Sequence, residues 1–117
     1  MLERFHVPED IAIRVPQDKM RATVEDIFRN FNMSQRDAAK AADVLMYADI
    51  RGVESHGVSN MMRGYVTGFQ EGRINPNPQW RIVRDSPAVC TIDSDRGHGL
   101  VIGPMAMEMA IERAEKF

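Results

Sequence analysis

Gly52-Val53-Glu54-Ser55-His56-Gly57-Val58-Ser59-Asn60-Met61-Met62-Arg63 leads out of a glycine stop into a new amphipathic run. From Val58 the apolar residues Val58, Met61, Met62, Tyr65, Val66 and Phe69 follow the spacing of one helical face. Continuing the same helical wheel backwards, at about 100° per residue, groups His56, Asn60, Arg63 and Thr67 on the opposite side. Ser55, just before, can cap the first turn, beside free N–H groups and the positive end of the helix dipole. An imidazole, an amide and a guanidinium on one stripe suit a small anionic carbonyl or hydroxy acid. Arg63 would hold the carboxylate and His56 would move the proton. The same pattern also describes any solvated surface helix with a serine cap.

The chain around this stretch is ordinary in composition. Its 117 residues suffice for one domain with its own core. A net charge of -2 argues against a nucleic-acid surface or a polybasic membrane surface. The single cysteine, Cys90, cannot form an internal disulfide and reads as a buried thiol in a reducing compartment. No apolar run approaches the length of about eighteen residues needed to span a bilayer, and the N-terminus lacks a signal-peptide core. The expectation is a cytoplasmic protein. The nine methionines read as flexible core filler.

Outward from the central stretch, the spacing predicts two short extended segments, Arg4–Val7 and Ala12–Val15. Pro8-Glu9-Asp10 turns between them, and His6 falls on a strand edge. A helix should follow Pro16, with Asp18 as its cap and Met20, Val24, Ile27, Phe28 and Phe31 as its core face. Ser34-Gln35-Arg36-Asp37 has the form of a capping box with Asp for Glu. The alanine-rich helix after it packs through Ala38, Ala41, Ala42 and Leu45 and stops at Gly52. The helix carrying Asn60 and Arg63 should run to about Gln70 and end at Gly72. Gly64 and Gly68 each weaken it by roughly 1 kcal/mol relative to alanine, which close backbone contacts should offset.

Ile74-Asn75-Pro76-Asn77-Pro78 cannot be helix interior. Beyond it, Gln79–Arg84, with Trp80 and Ile82 on one face, and Ala88–Asp93 predict a hairpin across Asp85-Ser86-Pro87. A last helix is expected from Gly103-Pro104 to Lys116, with Pro104 at its first position. It carries two apolar ridges, one of Ile102, Ala106, Met109 and Ala110 beside Arg113, the other of Met107, Ile111 and Ala114. The abrupt end at Phe117 suggests a chain cut short. The fold class is thus α/β, α+β-like over this length. An N-terminal helical region of three helices, residues 1–75, precedes residues 76–117, which begin a mixed α/β domain.

Other constellations are weaker. Asp93-x-Asp95-x-Gly97 opens like a calcium loop, but the twelfth position is Pro104, where a bidentate glutamate is needed. Gly97-x-Gly99-x-x-x-Gly103 has its third glycine one place late for a dinucleotide fingerprint and reads better as a turn. His6, His56 and His98 are too dispersed for a metal site. Ser55 is not placed to use the neighbouring His56 ring as its base in the usual geometry. A helix-turn-helix around Gly52 conflicts with the acidic balance.

Tyr47-Ala48-Asp49-Ile50-Arg51-Gly52-Val53-Glu54-Ser55-His56-Gly57-Val58 resembles the signature of the malate/L-lactate dehydrogenase family, non-Rossmann NAD(P)-dependent 2-hydroxy-acid oxidoreductases. The resemblance extends through Ser59–Tyr65, Gly72-Arg73-Ile74-Asn75-Pro76, Gly97-His98-Gly99-Leu100 and Gly103–Met107. It implies hydride transfer between NAD or NADP and C2 of a 2-oxo or 2-hydroxy acid, a mixed-sheet fold, and a homodimer when full-length. His56 would be the catalytic acid/base and Ser55 would hydrogen-bond the substrate. Many members carry an arginine four residues after that histidine. Asn60 stands there in this chain, so Arg63 is the substitute carboxylate anchor, with Asn60 a second substrate-binding candidate. The resemblance also implies that this chain is the N-terminal third, without most of the cofactor site and inactive alone. The competing reading is a helical interaction domain derived from the family, binding a partner through its methionine- and alanine-rich faces.

Overall fold

The computed structural model describes residues 7–116. Four helices and one hairpin follow in order: α1 (Gln17–Asn30), α2 (Gln35–Ile50), α3 (Val58–Gln70), β1 (Arg81–Asp85), β2 (Cys90–Asp93) and α4 (Gly99–Ala114). A single turn of 3-10 helix, Glu54–His56, separates α2 from α3.

Among the described residues ahead of α1, 7–16, there is no strand. Ile11 N–H donates to the Pro8 carbonyl at 3.1 Å, so the Pro8-Glu9-Asp10 turn forms. Ala12–Val15, however, has no neighbouring strand among the described residues and stays irregular. Arg4–Val7 and the His6 edge position lie, apart from Val7, outside the described residues. Pro16, not Asp18, is the residue capping α1, and no side chain bonds there. Asp18 sits inside the first turn, where its charge still complements the helix dipole.

α2 begins as the sequence requires. Ser34 Oγ accepts from Asp37 N–H at 3.1 Å and donates to the Asp37 carboxylate at 2.8 Å. Its Ala38, Ala41, Ala42 and Leu45 are fully buried, because small side chains let α1 approach closely. Gly52 and Gly72 follow the ends of α2 and α3 with φ of 68° and 69°, the left-handed conformation that glycine adopts without a Cβ penalty. Of the two glycines within α3, Gly68 packs closely. A Cβ there would meet Ile74 Cδ1 at 2.6 Å, whereas at Gly64 it would meet nothing within 4 Å.

The core joins Val24 and Phe28 of α1, Met33, the α2 alanines with Leu45, and Phe69 of α3. Leu100 and Val101 pack on it from α4. β1 and β2 pair antiparallel with a bulge at Val83. The connection is one residue longer than expected. Asp85 pairs with Cys90, and Ser86 N–H and Oγ both donate to the Val89 carbonyl. Cys90 is half-buried, not fully enclosed.

α4 starts four residues before Gly103, because His98 caps it: Nδ1 accepts from Leu100 N–H at 3.1 Å. Pro104 therefore lies inside the helix, where it has no N–H to give the Leu100 carbonyl. One side of α4 is tied down. Arg113 donates to Asp85 Oδ1 at 2.6 Å and to the Ser86 carbonyl at 2.7 Å, and Glu108 meets Lys40 of α2 at 3.0 Å. The second ridge is not packed: Met107 and Ile111 are more than half exposed among the described residues.

Candidate functional site

Two histidines stand in opposite surroundings. His98 is 2 % exposed and its ring lies 4.4 Å from Tyr65, 5.4 Å from Phe28 and 5.5 Å from Phe69, centroid to centroid. Its Nδ1 caps α4, so the ring proton belongs on Nε2, a buried nitrogen with no hydrogen-bond partner among the described residues. Burial pushes the His98 pKa down to about 4, since an imidazolium among aromatic rings would lose its hydration. The same burial raises that of the Tyr65 hydroxyl.

His56 is exposed at the end of the 3-10 turn. Ser55 Oγ lies 2.8 Å from its Nδ1. Ser55 is not expected from the sequence to reach the neighbouring ring in the usual base geometry; the tight turn nevertheless brings hydroxyl and ring together, at Nδ1. A hydroxyl donating to Nδ1 places the ring proton on Nε2, the nitrogen left without a partner among the described residues.

The helical wheel does not reach His56. α3 begins at Val58, and Gly57 between them is extended, with φ -86° and ψ -176°. Ser55 does not cap α3 either. The capping oxygen comes from α2: Asp49 Oδ2 accepts from Val58 N–H at 3.0 Å, nine positions along the chain. Asn60 instead holds the turn, its amide donating to the Glu54 carbonyl at 2.9 Å and to Ser59 Oγ at 3.4 Å. Arg63 is exposed, and among the described residues it makes no hydrogen bond or ion pair. The structure thus brings Ser55 and His56 into contact and folds Asn60 back on their turn. It leaves Arg63 as an unpaired cation farther along α3.

Sequence reasoning missed Asp49 and Gly57. Both lay within Tyr47–Val58, but neither has a helix-period partner that would have singled it out. A cavity of about 390 Å³ opens on the Asp49 side, between residues 7–15 and the α2–α3 junction, and is lined by Val15, Met20, Met46, Asp49, Glu54 and Val58 among others. His56, Asn60 and Arg63 do not line it.

The Gly97–Gly103 segment is closed at its first glycine. At the start of α4, Leu100 N–H is taken by His98 Nδ1 and the Val101 and Ile102 N–H groups by the His98 carbonyl. A Cβ on Gly97 would lie 2.8 Å from Ile102 and 2.9 Å from Pro78. The space beside that glycine is filled by side chains, whereas Gly99 and Gly103 would meet nothing within 4 Å. Among the described residues no group of acidic, histidine or cysteine side chains is placed to hold a metal ion, and no helix is long and apolar enough to cross a membrane.

Comparison with known proteins gives a consistent answer. The sequence profile of the family described as malate/L-lactate dehydrogenase matches residues 15–117. Malate dehydrogenase of Pyrococcus abyssi is 40% identical over 116 residues, which are 99% of this chain and 32% of that protein. The structure of malate dehydrogenase from Pyrococcus horikoshii superposes with a TM-score of 0.86 at 38% identity, covering 95% of this chain and 31% of that one. Sulfolactate dehydrogenase from Methanocaldococcus jannaschii superposes with a TM-score of 0.84 at 37% identity, covering 88% and 30%. The chain spans about a third of the length of the curated relatives it matches.

Proposed function

As this chain belongs to the malate/L-lactate dehydrogenase family, we propose that it forms the N-terminal part of an oxidoreductase acting on a small 2-hydroxy acid of the malate or sulfolactate type. The bound nicotinamide, NAD or NADP, supplies or takes the hydride at C2. This chain handles the oxygen and the carboxylate. His56 protonates the carbonyl oxygen during reduction and takes the hydroxyl proton during oxidation. An imidazole can give a proton in one direction of the reaction and take it back in the other. Ser55 holds the ring through Nδ1 so that Nε2 meets the substrate. Arg63, with no partner of its own among the described residues, supplies the charge for a carboxylate. Asn60, whose amide is committed to the Glu54 carbonyl, keeps only its oxygen for substrate and acts chiefly on the turn. The rest of the polypeptide supplies most of the cofactor site and the second wall of the substrate site.

The observation carrying this reading is the 2.8 Å Ser55–His56 contact on an exposed turn. A solvated face has no need of a serine committed to fixing one ring nitrogen. In the complete polypeptide, His56→Ala should lower kcat with a 2-oxo acid by about 10²–10⁴-fold while circular dichroism is unchanged; undiminished turnover would favour the interaction-domain reading. The 117-residue chain alone should not oxidise NAD(P)H in the presence of pyruvate, oxaloacetate or sulfopyruvate, a point a direct absorbance assay decides.

A further inference from the structure

The turn that carries His56 is held from outside itself. α3 has no cap of its own, because its N-cap residue is Gly57 and a glycine has no side chain to offer. Asp49, one residue before the end of α2, supplies the missing acceptor to Val58 N–H. Gly57 is buried, and a Cβ built on it would overlap Asp49 Oδ1 and lie 2.5 Å from Asp49 Cγ. The backbone at Gly57 is ordinary extended conformation, so any residue could adopt it. The glycine is therefore there for space, and the space is filled by the Asp49 carboxylate.

α2 is the rigid side of this contact. Ala41, Ala42, Leu45 and Met46 are all buried, which fixes the helix that carries Asp49. Val53 N–H donates to the Ala48 carbonyl and His56 N–H to the Val53 carbonyl, so the chain climbs from α2 to the histidine through short backbone bonds. Asp49 then pins the far side of His56, one residue past Gly57. We propose that Asp49 is a positioning residue. Lodged in the space kept open by Gly57, it transmits the placement of the packed α2 helix to the Ser55–His56 pair and holds the imidazole in one orientation and one tautomer. Its bearing on turnover rests on His56 being the acid/base of the proposed reaction.

The idea makes a specific demand on paired changes. Gly57→Ala should be harmful only because Asp49 is there, so its effect should largely vanish once the carboxylate is gone. The readouts are the imidazole ¹⁵N shifts of His56 in the 117-residue chain, which report the tautomer, and kcat and KM in the complete polypeptide. Wild type should show Nδ1 as acceptor and Nε2 protonated at pH 8. Asp49→Ala and Gly57→Ala should each move the ring toward the averaged tautomers of a free imidazole and lower kcat on the order of 10–100-fold, with KM changing less. The double variant should be no worse than Asp49→Ala, and Asp49→Asn, which keeps an acceptor for Val58 N–H, should retain the wild-type tautomer. The proposal is overturned if folded Asp49→Ala leaves the His56 shifts in place, if the Gly57→Ala loss adds in full to the Asp49→Ala loss, or if Asp49→Asn behaves like Asp49→Ala. Should Asp49→Ala fail to fold, Asp49→Asn and Gly57→Ala decide by the same shifts. If His56→Ala leaves turnover intact while these shifts move as described, the acid/base role fails and the positioning role stands. The reverse pattern removes Asp49 and keeps His56.

Discussion

His98 and His56 each have Nδ1 engaged by a neighbour close in sequence, a backbone N–H in one case and a hydroxyl in the other. They differ in what surrounds the other nitrogen. His98 Nε2 is shut among Phe28, Tyr65 and Phe69, and the ring serves as one more aromatic in the core while capping α4. His56 stands exposed on a turn outside that core. Local bonding to one nitrogen sets a tautomer; burial decides whether the ring can take up a proton near neutral pH. The difference separates a histidine buried in the core from one exposed on a turn.

The comparison is most strongly tested at its buried end. Phe28 is fully buried and touches the rings of Tyr65, Phe69 and His98, so Phe28→Ala should cost about 3–5 kcal/mol, read as a fall in the urea midpoint. His56→Ala should leave that midpoint nearly unmoved, since exposed substitutions usually lie within about 0.5 kcal/mol.

Acid should reach the same region next. The folded pKa of His98 is depressed to about 4 from 6.5, so between those values the unfolded chain binds the extra proton. The contribution is fully present above pH 6.5 and is lost progressively as pH falls toward 4, by about 3 kcal/mol in all. Unfolding curves at pH 7, 5.5 and 4.5 should show the decline, and His98→Phe, which cannot titrate, should remove that part of it. A decline identical in both proteins would mean that the imidazole is not the group responsible.

The smallest effect is expected at α3's exposed glycine. Gly64 meets nothing where a Cβ would stand, so Gly64→Ala should raise stability by up to about 1 kcal/mol. Gly57→Ala, blocked by Asp49, should lower it. If both changes moved the melting temperature in one direction, the distinction between open and filled glycines would not hold.

What could be read from the chain follows the range of the forces involved. The Ser34–Asp37 cap, the buried Ala38–Leu45 face and the left-handed Gly52 and Gly72 are set by residues within a turn or two, and pattern identified them. The hairpin was visible as well, though its loop is a residue longer, because the Ser86–Val89 bonds select the turn. The early start of α4 was not visible. The His98 ring caps α4 while packed among Phe28, Tyr65 and Phe69, which arrive from two other helices. Ala12–Val15 has strand composition but, among the described residues, no strand to pair with.

In the candidate site the motif itself marked Ser55 and His56, and the family follows from those few residues in their setting. Their arrangement does not. Helical periodicity placed His56 on the α3 stripe, while the extended Gly57 takes it off that helix, and the cap assigned to Ser55 comes from Asp49 on another helix. Sequence alone thus determined the helices, their stops and the family motif with its Ser55–His56 pair, because those depend on neighbours along the chain. Tertiary structure alone decided which imidazole is buried, where α3 and α4 begin and what braces His56, because each depends on a contact between helices that pack only once the core has formed.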